Sequence, residues 1–216
     1  MLLFKSDPTM RKKIMKSKSS PNPRIDVDGT RADIERMDSE SQTPSPQMAF
    51  NKRMNMKGNT KLVATLNELL ADELTAISQY MVHAEMCANW GYEALHQAIE
   101  RQARDEMHHA QWLIRRVIFL EGTPEVSKLN PMKIGQSVLD MVTNDQEAEQ
   151  AAISSYNDAI VLAHQVADQS TADLLGKILI MEEDHADWAE AQRSQIDQMG
   201  LENYLANQTH DAAGRT

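Results

Sequence analysis

Glu106-Met107-His108-His109 and Glu182-Glu183-Asp184-His185 each place a glutamate three residues before a histidine. On an α-helix that spacing puts both side chains on one face. One such motif arises often by chance on surface helices, but these two share more than their spacing. Glu73 stands 33 residues before Glu106, and Glu149 stands 33 residues before Glu182, so the whole pattern repeats at an offset of 76. The chain carries two copies of a helical set of metal-type ligands.

Composition narrows what such a set can do. Residues 1–61 hold 13 Lys and Arg against 7 Asp and Glu, whereas residues 62–216 hold 9 against 25. The larger, acidic part, net −16, suits cations rather than nucleic acid. The single cysteine, Cys87, has no intramolecular partner and reads as a small buried apolar residue. No run approaches the ~20 apolar residues of a membrane span. The amino terminus lacks the apolar run of a secretory signal, and its acidic residues argue against a transit peptide. The expected setting is the cytoplasm.

Residues 1–58 are rich in Ser, Pro, Asn, Lys and Arg without a sustained apolar period, which predicts a basic, disordered extension. Its run Arg11, Lys12, Lys13, Lys16 and Lys18 could touch an anionic partner such as DNA, although a basic run in a tail is more often solvated. Met48, Met54 and Met56 could each serve as a translation start, in which case the preceding residues are not native.

Residues 59–207 read as one all-α domain. Leu62, Leu66, Leu69, Leu70, Ile77, Tyr80 and Ala84 recur at three and four, predicting a helix from Thr60 to Trp90, capped by Asn59 or Thr60 and ended by Gly91. A second helix is expected over 92–121, stopped by Gly122, Thr123 and Pro124. Residues 122–136 form the one long connection. A third helix is expected over 137–167 and a fourth from Ser170, capped with Asp173, to Gly200. A short fifth helix over 201–207 and a flexible tail over 208–216 complete the chain. Two tight links and one long crossover between helices 2 and 3 predict a four-helix bundle that is not simply up-down-up-down.

Most of the acids are expected on solvated faces, as for Glu68, Glu100, Asp140 and Glu190. Glu73, Glu106, His109, Glu149, Glu182 and His185 instead continue the apolar stripes of their helices. Carboxylates in a core are costly unless paired or bound to metal, and two divalent cations would offset four of them. The donor set of carboxylate and imidazole suits Fe or Mn, and Zn can also occupy it. Tyr80 and Tyr156 each follow a ligand glutamate by seven residues, so each ring lies on the ligand face, for packing, hydrogen bonding or electron transfer. His83, His96, His164 and His210 have no partner in the repeat, and His108 is turned towards the surface.

One Glu from each of two helices with Glu-x-x-His from each of the other two resembles the ferritin-like di-iron carboxylate proteins. From Met56 to about Asn207 the chain resembles a bacterioferritin in Met56-Lys57-Gly58-Asn59-Thr60-Lys61, Asn67-Glu68-Leu69-Leu70, Gln79-Tyr80, Asn89-Trp90-Gly91, Asp105-Glu106-Met107, Phe119-Leu120-Glu121-Gly122, Asp187-Trp188 and Met199-Gly200-Leu201. The first of these resembles the usual start of the family and favours the reading of the extension as non-native. The resemblance implies iron storage as ferric mineral in a 24-subunit shell built from dimers. Each subunit would be a ferroxidase that oxidises Fe(II) with O2 or H2O2. It implies Glu73, Glu106, His109, Glu149, Glu182 and His185 as the di-iron ligands, with Glu106 and Glu182 bridging. It implies Met107 as axial ligand of a haem b shared between two subunits, and a ferredoxin-type reductant for iron release. Tyr80 joins the catalytic set.

Arg101 departs from members that carry a histidine there, which puts an accessory iron site on the cavity wall in doubt. Two rivals use similar bundles. A rubrerythrin-like peroxidase usually carries a Cys-rich iron module for electrons, and one cysteine rules that module out. A DNA-protecting miniferritin could use the basic tail as a clamp, but that class places its ligands between subunits.

Overall fold

The computed structural model describes residues 57–209, and the expectations for the basic extension and for the tail beyond 209 lie outside them. Five helices occur among the described residues, and none is long and apolar enough to cross a membrane. They are α1 (Thr60–Trp90), α2 (Glu93–Phe119), α3 (Val138–Gln165), α4 (Gln169–Met199) and α5 (Leu201–Asn207). The architecture is all-α, with no strand among the described residues.

Local chemistry sets the boundaries. Asn59 caps α1 by accepting from the amides of Lys61 and Leu62 at 2.9 and 3.2 Å. Gly91, with φ of 80°, ends it. Several ends differ from expectation by a residue or two, and two of them have a visible cause. α2 stops at Phe119 because Glu121 takes a left-handed φ of 59°, and Gly122 donates back to the Val117 carbonyl at 2.9 Å. α4 begins one residue earlier than expected and is capped by Asp168, not Ser170. Asp168 accepts from the Thr171 amide at 3.1 Å and from the Arg116 guanidinium of α2 at 2.6 Å. A side chain that satisfies an orphan amide and an arginine together outcompetes a serine able to do only the first.

α1 and α2 form one hairpin and α3 and α4 the other. Gln79 and His83 meet Asp145 while Tyr156 meets Glu73, so α3 runs antiparallel to α1. His185 approaches Asp105 while Arg116 holds Thr171, so α4 runs antiparallel to α2. This order, up-down-down-up, requires the connection 120–137 to travel the length of the bundle. α1 holds it there. Asn67 binds Glu125 N and Thr123 O, Thr75 and Asp72 bind Asn130, and Gln79 accepts from Lys133 N at 2.9 Å.

The crossover ends at a buried junction. Gly135 N–H donates to His83 Nε2 at 3.3 Å, and His83 Nδ1 lies 3.0 Å from the Asp145 carboxylate. His83, which has no counterpart in the repeat, is thus partnered by the crossover and by α3. A Cβ on Gly135 would lie 2.5 Å from Met141 N, a backbone atom that cannot turn aside. Gly135→Ala should cost about 1–3 kcal/mol, the usual range for overpacking. Denaturant unfolding checks this, and an unchanged midpoint would contradict it.

Apolar side chains divide into two cores. One contains Leu66, Leu70, Leu113, Leu175 and Ile178, and the other Leu95, Ile99, Met141, Val142 and Tyr204. α5 closes the second through Tyr204, whose hydroxyl donates to Gln192 Oε1 at 3.0 Å. The repeated glutamates and histidines fall between these two cores, halfway along the bundle.

Candidate metal centre

All four long helices contribute. α1 supplies Glu73, α2 Glu106 and His109, α3 Glu149, and α4 Glu182 and His185, and all six are buried. Their ligand atoms fall into two groups. Glu73, Glu106, His109 and Glu182 form one, and Glu106, Glu149, Glu182 and His185 the other, each with its atoms within 4.8 Å of one another. Glu106 and Glu182 belong to both.

Both imidazoles turn Nδ1 into this cluster. His109 Nδ1 is 2.8 Å from Glu106, 2.9 Å from Glu182 and 3.6 Å from Glu73. His185 Nδ1 is 2.9 Å from Glu106, 3.7 Å from Glu182 and 3.9 Å from Glu149. Despite these distances, Glu106 Oε1 and Oε2, Glu182 Oε1, His109 Nδ1 and His185 Nδ1 make no hydrogen bond. Five unpartnered polar atoms converging in a buried space are expensive for a protein alone. These groups could hold metal ions, and the donor set of four carboxylates and two imidazoles suits Fe or Mn and can also take Zn.

Electrostatics within the cluster follow from burial and crowding. Burial raises Glu73 and Glu149 well above the ordinary carboxylate value, and the facing acids Glu106 and Glu182 add to it. Burial disfavours charge on Glu106 too, but His109 and His185 outweigh it and hold that carboxyl down at about 2. The histidines respond in turn. Burial lowers both, yet the surrounding carboxylates push His109 up to about 12 and His185 up to about 11. The protein without metal thus keeps protons at this centre that divalent cations would displace.

Tyrosines complete the symmetry crosswise. The Tyr80 hydroxyl donates to Glu149 and the Tyr156 hydroxyl to Glu73, so each orients the glutamate of the other hairpin. Burial and the nearby acids raise both phenols well above their ordinary value. A cavity of about 280 Å³ between α1, α3 and the crossover leads to the cluster from exposed Lys133 and Glu147, which pair at 2.7 Å. Asp72, Gln79 and Asn130 line it.

The sequence profile of the ferritin-like domain matches residues 63–199. A bacterial ferritin of Synechocystis sp. is 41% identical over 154 residues, covering 71% of this chain and 99% of that protein. A bacterioferritin of Mycolicibacterium paratuberculosis is 35% identical over 151 residues, covering 70% of this chain and 95% of that protein. The chain belongs to the bacterioferritin family. A bacterial ferritin of Paramagnetospirillum magnetotacticum, 38% identical over 162 residues, covers 73% of the chain and 98% of its own length.

The remaining predicted positions of the chain also have definite places. Met107 is 45% exposed, on the face of α2 opposite His109. His108 is exposed, and His96 Nδ1 lies 3.1 Å from the Ala84 carbonyl. The repeat could not reveal Asp145 and His83, which it does not duplicate. A usable signal existed nonetheless. Asp145 stands four residues before Glu149 and His83 three after Tyr80, so both share a face with residues of the centre.

Proposed function

We propose that residues 59–207 form an iron-oxidising and iron-storing bacterioferritin subunit, with Fe(II) as the substrate of the six-residue centre. The sharing of Glu106 and Glu182 between two ligand groups carries this reading. Two Fe(II) ions bind side by side, each gives one electron, and the pair reduces O2 with two protons to H2O2, or H2O2 with two protons to two waters. Glu106 and Glu182 hold both ions at a fixed separation, so that the two electrons leave together. Glu73 with His109, and Glu149 with His185, complete the two positions. Tyr80 holds Glu149 in place through its hydroxyl, beside the reacting ions. The acidic domain favours arrival of cations.

Storage needs an assembly, and the surface supports one. Met81, Val82, Ile118, Phe119, Val126 and Leu129 are all exposed, apolar side chains that an interface between copies would cover. Copies of the chain joining as dimers into a 24-subunit shell would cover it and enclose the ferric product. Cys87, buried and free, suits a cytoplasmic setting. The mass of the purified particle and its uptake of Fe(II) in air test this together: a monomeric protein that leaves Fe(II) in solution would refute it.

Met107 fits a haem. Its thioether is a soft donor exposed on the outer face of α2, and Met107 together with its counterpart in a second copy would hold the group. Bound there, a haem would supply one-electron chemistry for iron release with a ferredoxin-type reductant. Met107→Leu should remove the haem absorption band while leaving Fe(II) oxidation within about twofold of the parent, since the side chain touches none of the six ligands. Retention of the band would move the haem elsewhere.

A further inference from the structure

The offset of 76 that relates the two halves of the centre fails at one position that touches it. Asp105 precedes Glu106, but the equivalent residue before Glu182 is Met181. Each reaches across the bundle to the histidine of the opposite motif. Asp105 Oδ2 lies 3.7 Å from His185 Nε2, a charge contact longer than a hydrogen bond. Met181 Sδ lies 3.4 Å from His109 Nε2. In both imidazoles Nδ1 faces the cluster, so Nε2 is the nitrogen that its outer neighbour controls.

A carboxylate behind a ligating imidazole fixes its orientation and raises its basicity. A thioether is only a weak, neutral acceptor. What lies behind His109 widens the difference. Its ring packs on Trp112 at 5.8 Å between centroids, and Lys177 Nζ sits 4.0 Å above that indole. His109 is thus backed by sulfur, an aromatic ring and an ammonium, and His185 by an anion.

We propose that Met181 makes the two metal positions unequal, so that the position of Glu149 and His185 fills first and that of Glu73 and His109 fills second and more weakly. The inference rests on the reading of the six residues as a two-metal centre. Outer carboxylate partners are worth about 10–100-fold in metal affinity, which sets the expected gap.

Calorimetric titration of the metal-free assembled protein with Co(II), paired with its visible absorption, measures that gap. The expected result is two steps of one ion per chain, separated by about tenfold or more. Glu149→Ala should delete the tight step and Glu73→Ala the weak one. Met181→Asp should tighten the second step towards the first, and the near-isosteric Asp105→Asn should weaken the first alone. Equal affinities in the parent protein, or a second step that Met181→Asp leaves unmoved while Asp105→Asn leaves the first unmoved, would overturn the proposal. Failure to bind two ions per chain would instead defeat the two-metal reading on which it rests.

Discussion

Glu106→Ala should lower the rate of Fe(II) oxidation at neutral pH by more than about 100-fold, the upper end of what losing a mere outer partner costs a metal site. The expectation is this large because Glu106 belongs to both ligand groups. Neither of its oxygens has a hydrogen-bond partner, and each lies within 3 Å of a different imidazole, at 2.8 Å for His109 and 2.9 Å for His185. Its removal would deprive both proposed metal positions of a ligand and the pair of its shared support. Stopped-flow absorbance of Fe(II) mixed with O2 checks the rate, with exposed Glu190→Ala as a control that should be unchanged. Turnover at the parental rate in Glu106→Ala would place the oxidation elsewhere.

Metal and pH should act together on stability, in opposite senses. Glu73, Glu149, His109 and His185 all have raised pKa values in the metal-free fold. Their contribution is complete below the unfolded values, about 4.3 for Glu and about 6.5 for His. It is lost as pH rises towards the folded values, about 12 for His109 and about 11 for His185. Glu106 has the reverse sign: depressed to about 2, it contributes above the ordinary carboxylate value and loses that as pH falls. The metal-free protein should therefore be most stable near pH 5 and weaken towards pH 8. Metal binding displaces the same protons and strengthens over that interval. At a free ion concentration 100 times the Kd, two sites add about 5 kcal/mol, or roughly 10 °C or more in Tm for a domain of this size. Calorimetric melting with Zn(II) or chelator should show a Tm difference that widens from pH 5 to pH 8. A difference that narrows would contradict the assigned ligands.

Much of this was legible in the sequence because helices turn spacing into geometry. Glu-x-x-His puts a carboxylate and an imidazole on one face, and the apolar stripes say which face is inside. The offset of 76 says that the two halves of the chain build equivalent halves of the centre. The long connection between α2 and α3 was readable from Pro124, Pro131 and Gly135. What escaped were contacts between elements. Ser170 looked like a cap until Arg116, distant in sequence, favoured Asp168. The left-handed Glu121 and Ala167, with φ of 59° and 58°, carry no compositional signal of the kind glycine gives. His83 lacked a partner in the repeat, and only the antiparallel packing of α1 on α3 brings Asp145 to it. The crosswise bonds of Tyr80 and Tyr156 were half visible, since their face could be read but not the glutamate each would meet.

The central claim is that one chain holds two iron ions between Glu106 and Glu182. Anomalous diffraction at the iron edge, from crystals loaded with Fe(II) without oxygen, tests it most directly. The account predicts two peaks per chain, both within coordination distance of Glu106 and Glu182 oxygens. One should also contact Glu73 and His109, and the other Glu149 and His185. A single peak, or iron bound between chains with these six residues empty, would contradict it.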